Sequence, residues 1–359
     1  MSGPGDRPSM ANRFRIAELR SVAISGLFVL AVLYTLHLAR DLVLPIVLAL
    51  FLSLLLQPVV RLLRRWRVPN AAAPALVLLL LLGGGGIALY NLWTPAAEWV
   101  VRAPQDLKKL ETKVRRIVRS VESVTRTAEQ VDQIADVGAT DAPQVSLKQP
   151  TLSETILGGA WHLLATGLII TVLAYFFLAS GDHFVRKLPR IMPREGAERV
   201  MAIMQETEAQ ISRYLLAVTL INLGLGALTA AVMALLGMPT PLLLGVLAAA
   251  LNFVPYIGPI TMATLLAMVA LVTYPDVGQA LLPPLAYLAL HATEANLLTP
   301  HLLGRRLPLS PVVIFVAFLF WWWIWGVPGA ILAVPIMVTI KIICDKTERL
   351  AGVGELLGR

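Results

Sequence analysis

Along the chain, long uncharged apolar runs alternate with short stretches rich in Lys and Arg. The runs at 21–38, 42–60, 71–93, 156–179, 214–236 and 279–298 lie near the roughly 20 residues an α-helix needs to cross a hydrocarbon layer. Each is predicted to span a membrane. Two further runs, 241–273 and 311–341, are too long for one untilted span. Each is interrupted near its middle, the first by Pro255, Gly258 and Pro259, the second by Gly326, Pro328 and Gly329. Proline has no N–H to give and clashes with the preceding turn, so the helix must open there. In hydrocarbon an opened backbone is tolerable only when buried in protein or lining a water-filled cavity, so both breaks are expected at an internal site.

The two interrupted runs read alike. Each begins at a proline, breaks, continues apolar with Ile260 or Ile331 just beyond the break, and follows a conventional span. If both were single kinked helices, Arg305 and Arg306 would lie outside, against the excess of positive charge on cytoplasmic loops. As re-entrant hairpins they place Arg305, Arg306, Lys341, Lys346 and Arg349 all inside. Span-plus-hairpin then occurs twice in opposite orientation, the inverted repeat of many secondary transporters. The predicted fold class is an all-α polytopic membrane protein of about six full spans plus two broken re-entrant helical hairpins, alternatively about eight spans, with a charged extramembrane helical insert.

Charge sets the expected topology. Arg13, Arg15 and Arg20 precede the first span, Arg61, Arg64, Arg65 and Arg67 close the second, and Arg186, Lys187, Arg190, Arg194 and Arg199 follow the fourth. These put both termini in the cytoplasm and make the first two spans a tight hairpin around Arg40-Asp41. The first apolar segment lacks a small-residue cleavage site and is read as a retained helix. The chain divides into a cytoplasmic tail (1–20), N-terminal transmembrane helices (21–93), an extramembrane insert (94–153), a transmembrane helix with a cytoplasmic amphipathic segment (154–210), a core holding both span-plus-hairpin repeats (211–341) and a second cytoplasmic tail (342–359). In the insert, Leu107, Leu110, Val114, Ile117, Val121, Val124, Ala128 and Val131 recur at spacings of three and four. This stripe predicts a coiled-coil-like helix that packs either on its own membrane domain or on copies of itself, the latter implying a homo-oligomer. Gly83 to Gly86, in the third run, predict either a close helix approach or a kink.

Composition narrows the chemistry. Hydrophobic residues make up 57% and charged residues 14%, so length is consumed by membrane segments and one polar insert. The net charge of +8 follows from Lys- and Arg-rich loops and needs no nucleic-acid partner. A single cysteine, Cys344, excludes an intramolecular disulfide and a multi-cysteine metal site. The sequence has no phosphate-binding loop, no zinc-binding H-E-x-x-H and no G-x-S-x-G nucleophile turn. Neither an enzyme nor a cofactor is expected, and nucleotide is not expected to supply energy.

Glu294 lies near the end of an apolar helix, with His291 one turn before it. An ionisable group there is costly unless paired or hydrated, which suits a carboxylate that binds a proton or a cation; the alternative is a structural bond to an opened helix end. Asn252 offers donor and acceptor beside the first break, either for a polar solute or as a cap for the half-helix. Asp276 reads as a solvated loop acid, and Trp321, Trp322, Trp323 and Trp325 as an interfacial aromatic belt. The predicted solute or ion pathway comprises Asn252, Pro255, Tyr256, Gly258, Pro259, Glu294, Asn296, Gly326 and Gly329, with no catalytic residue and no metal ligand.

Three motifs in order complete the reading: Phe253-Val254-Pro255-Tyr256-Ile257-Gly258-Pro259; Glu294-Ala295-Asn296 with Pro300 and Gly304; and Pro311 followed by Trp325-Gly326-Val327-Pro328-Gly329 through Pro335. With Gln57-Pro58 ending the second span and the charged insert after the third, the chain resembles the autoinducer-2 exporter family of bacterial inner-membrane permeases over nearly its whole length. The resemblance implies a multi-pass, oligomeric permease of the inner membrane that moves small solutes without ATP, exporting a furanone-derived signal in some members and exchanging sodium or protons in others. Its partners would be membrane lipid, a small-molecule or ion substrate and further copies of itself. A non-transporting scaffold that recruits partners through the heptad helix is the rival reading.

Overall fold

A computed structural model describes residues 24, 26–28, 30–125, 164–180, 194–299, 301, 309–347 and 350–358; every regular element among them is a helix. In order these are α1 (Gly26–Leu38), α2 (Arg40–Arg65), α3 (Ala72–Thr125), α4 (Leu164–Ser180), α5 (Arg194–Leu235), α6 (Pro241–Leu251), α7 (Ile257–Thr273), α8 (Val277–Thr293) continued by a π-helical segment (Glu294–Leu298), α9 (Pro311–Lys346) and α10 (Ala351–Leu357). Stretches within α2, α3, α5 and α9 are long and apolar enough to cross a membrane. The chain is an all-α polytopic membrane protein.

Both interrupted runs are hairpins. In the first, α6 and α7 contribute Leu244, Ala248, Met262 and Leu266 to one buried cluster with Met233 and Tyr287. The Tyr274 hydroxyl, just past α7, donates to the carbonyl of Leu236, just before α6, at 2.5 Å. In the second, α9 carries a non-helical Gly326 (φ 65°, ψ −143°). Leu309, before the helix, is buried with Val334 and Val338, and Val313 and Ile314 pack there beside Met337 and Ile342. In a straight helix Val313 and Val338 would stand about 37 Å apart, at about 1.5 Å per residue. Ser310 N–H also donates to Leu357 O of α10 (3.1 Å), which closes the base of the hairpin.

The two hairpins enter from opposite ends of α5. Lys346, at the foot of the second, pairs with Glu206 at 2.5 Å. The foot of the first lies at Leu236, about 45 Å further along the same helix at about 1.5 Å per residue. The feet of the two hairpins thus lie toward opposite ends of α5.

Hairpin 1 is fastened to α5 by the closest helix approach in the core. A Cβ added at Gly226 would lie 2.6 Å from Gly245 O, and one at Gly245 would lie 2.5 Å from Gly226 O. Ala230 and Ala249 pack one turn on, so each helix presents a small-x-x-x-small pair that lets the backbones meet.

Three expectations are corrected. The first two spans do not reverse at Arg40-Asp41: Ala39 N–H bonds Thr35 O, Ala39 O accepts from Val43 N–H, and the backbone there (φ −87°, ψ 16°) bends the helix instead. The described residues between 24 and 32 are all exposed, as they would not be in a packed hairpin. The third span and the insert are one continuous helix, α3, because the charged residues after Trp93 are good helix formers and neither Pro95 nor Pro104 ends it. Likewise the amphipathic segment 195–210 runs unbroken into the next span as α5. The heptad stripe is helical up to Thr125, and its last two positions, Ala128 and Val131, lie outside the described residues. Lys113 of α3 donates to the carbonyls of Leu271 (2.8 Å) and Tyr274, so the insert helix braces the foot of hairpin 1.

Candidate functional site

The tip of hairpin 1 is a turn made by the residues that break the helix. Tyr256 adopts φ 64°, a left-handed conformation rare for a bulky side chain. Gly258 sits where a Cβ would collide with Leu251 O at 1.9 Å, so only glycine lets the second arm start so close to the end of the first. Pro259 is buried in the first turn of α7, where its missing N–H costs nothing. Asn252 caps α6, and its side-chain amide donates to Asn222 Oδ1 of α5 at 2.9 Å.

Glu294 faces this turn from α8. It is 6% exposed and opens the π-helical segment, where one extra residue per turn displaces the backbone. The Thr299 hydroxyl donates to Glu294 Oε1. His291 Nδ1 lies 3.4 Å from Glu294 Oε2, within ion-pairing range when the imidazole is protonated. The Asn252 side chain also faces the carboxylate. Tyr287, one turn before His291 with the two rings stacked at 6.3 Å, is fully buried. Its hydroxyl and the Asn222 Nδ2 group have no hydrogen-bond partner among the described residues. The result is a buried polar cluster in which a carboxylate and unspent donors gather beside an opened helix. Such a site can exchange a proton or cation at Glu294 and hold a polar solute on the amides and the phenol. Among the described residues no group of His, Cys, Asp and Glu could hold a metal ion.

The profile described as "AI-2E family transporter" matches residues 27–349. The chain belongs to the AI-2E transporter family. Among its relatives, the AI-2 transport protein TqsA of Escherichia coli (strain K12) is 29% identical over 331 residues, covering 92% of each chain. The putative transport protein YhhT of the same organism is 25% identical over 329 residues, 91% of each. A putative transport protein of Haemophilus influenzae is 24% identical over 339 residues, 92% of this chain and 94% of its own. As an AI-2E family member the protein is a membrane transporter.

The structure brings together Asn252 and Glu294 and frames them with Pro255, Gly258 and Pro259. Tyr256 is half exposed at the turn. Asn296 points away, its amide donating to Ala292 O (2.7 Å) on an exposed face. Gly326 and Gly329, expected on one pathway with Asn252 and Glu294, form the other tip, and hairpin 2 packs on α2 and α5 instead. Its tip is aromatic, with Trp321 and Trp325 buried beside Leu36, Val43 and Leu44 of α1 and α2. Trp325 Nε1 donates to Leu36 O (3.2 Å), and Trp323 stacks on His37 at 5.8 Å. Gly329 lies where a Cβ would meet Trp321 O at 2.1 Å. Asn222, Tyr287 and Thr299 join the site without having been singled out from sequence. Asn222 had a signal, as an amide alone in the middle of the apolar run 214–236.

Proposed function

We propose that this AI-2E family transporter is a secondary transporter of small polar solutes in the bacterial inner membrane, and that Glu294 couples flux to a proton or sodium gradient. The observation that carries this reading is the buried Glu294 carboxylate, aimed with Asn252 at the turn of hairpin 1 and surrounded by the unspent donors of Asn222 and Tyr287. A buried acid without a fixed cationic partner changes its affinity for a proton or cation when its surroundings change, and that is what coupling requires. The name of TqsA supports a furanone-derived signal of the AI-2 class as one solute, whose hydroxyl groups match the amides and the phenol. In this reading solute leaves the cell as the coupling ion enters.

The test is transport by purified protein in proteoliposomes under imposed proton and sodium gradients, comparing wild type with Glu294→Gln. Gradient-driven flux should fall at least about tenfold, a loss of about 1.4 kcal/mol or more, while assembly and thermal stability stay unchanged. Undiminished coupled flux in the variant would overturn the assignment. Counter-flow of sodium and protons without added solute would favour the cation/proton antiport alternative, in which Glu294 is the whole binding site.

A further inference from the structure

A second cavity, of about 1000 Å³, lies away from Glu294, between α2, α4, the first part of α5 and the second arm of hairpin 2. Along α2 it runs from Arg64 to Leu50, about 21 Å at about 1.5 Å per residue. That exceeds one leaflet of a hydrocarbon core about 30 Å thick.

Its two ends differ. The depth is apolar, lined by Leu50, Leu54, Phe176, Phe177 and Ile211. Leu50 and Phe176 are themselves 44% and 56% exposed, so the cavity opens sideways toward the surface that meets lipid. The mouth carries charges of both signs. Arg61 pairs with Glu208 at 2.9 Å, Gln57 Nε2 also donates to Glu208, and Arg64 donates to Leu178 O at 3.0 Å. Two polar atoms there lack a partner among the described residues: Gln57 Oε1, and Oγ1 of Thr207, a residue only 9% exposed. A buried acceptor or hydroxyl left without a partner costs free energy. Gln57 Oε1 asks for a ligand that donates a hydrogen bond, and the Thr207 hydroxyl can either accept or donate one.

We propose that this cavity holds one phospholipid with an ammonium–phosphate headgroup. The phosphate meets the guanidinium groups of Arg61 and Arg64, which suit its oxygens. The ammonium group meets Glu208, Gln57 Oε1 and Thr207 Oγ1, and one acyl chain lies along the apolar depth. An anionic lipid without an amine would satisfy the arginines, and a glycerol hydroxyl could reach Gln57 Oε1, but its net charge would stand against Glu208 with no cation of its own to offset it. An enclosed solute pocket would not be rimmed by exposed Leu50 and Phe176. The proposal is independent of transport through Glu294.

The test is native mass spectrometry of the purified, delipidated full-length protein titrated with phosphatidylethanolamine, phosphatidylglycerol or tail-less phosphoethanolamine. One phosphatidylethanolamine per chain should be retained, at least about fivefold tighter than phosphatidylglycerol, and phosphoethanolamine should not bind. Leu54→Trp, which fills the depth, should lower retention at least about fivefold. Glu208→Gln should erase the preference for the amine headgroup. Should Leu54→Trp fail to fold by circular dichroism, Thr207→Val, which removes one hydroxyl, should still weaken retention two- to threefold. Equal retention of both lipids by wild type, tight binding of phosphoethanolamine alone, or a cavity closed by a second copy (efficient Phe176→Cys self-cross-linking with no lipid retained) would each overturn the proposal.

Discussion

The two hairpins use the same backbone device and end in different chemistry. Each turns at a residue of positive φ, Tyr256 (ψ −54°) in one and Gly326 (ψ −143°) in the other. Each is closed by a glycine pressed on a carbonyl one arm back, Gly258 on Leu251 and Gly329 on Trp321. Yet hairpin 1 ends among Asn252, Asn222 and Glu294, whereas hairpin 2 ends in Trp321 and Trp325 against α1 and α2. A helix break by itself therefore does not make a polar site. What faces the break decides, and here only one of two equivalent turns is given a carboxylate.

The sharpest way to break the comparison is to attack the shared device. Gly258→Val and Gly329→Val would each place a Cβ about 2 Å from a main-chain oxygen that cannot move aside, overpacking that costs on the order of 3 kcal/mol. Both should lose most monodisperse protein in size-exclusion profiles, and tolerance of either would show that its turn is not closed in this way. A smaller effect separates the two tips. Asn252→Leu should cut flux about tenfold, equivalent to about 1.4 kcal/mol, with little change in melting temperature. Trp325→Phe gives up one hydrogen bond to Leu36 O, worth about 1 kcal/mol, and should lower the melting temperature while flux per folded molecule stays near wild type. If both variants lost flux equally, hairpin 2 would belong to the solute path as well. The smallest expected effect is the coupling between Asn222 and Asn252. A double-mutant cycle with alanine, read by thermal unfolding, should give about 0.6 kcal/mol, the usual scale for a hydrogen bond between membrane helices.

Much of this contrast was legible in the chain. Proline and glycine mark both turns because no other residues are so plainly unable to continue a helix there. Glu294 and Asn252 stood out as polar groups in apolar surroundings. The bend at Ala39 is hidden because Arg40-Asp41 looks like a polar boundary between two spans, while alanine, a strong helix former, lets the hydrogen-bonded turns run on through it. Continuity of α3 and α5 is not legible because a change from apolar to polar composition looks like an end, whereas good helix formers carry a helix across it, in α3 even past Pro95 and Pro104. The separation of the two tips is a tertiary fact: nothing near Trp321 or Trp325 encodes that their partner is Leu36.

The contact of Gly226 with Gly245 bears on how such a molecule can move. Only the methyl groups of Ala230 and Ala249 stand beside the two glycines, so the α5 and α6 backbones interlock with almost no slack. A displacement of hairpin 1 that keeps this seam carries α5 with it, a lever whose far end holds Glu206 and, through Lys346, the foot of the opposite hairpin.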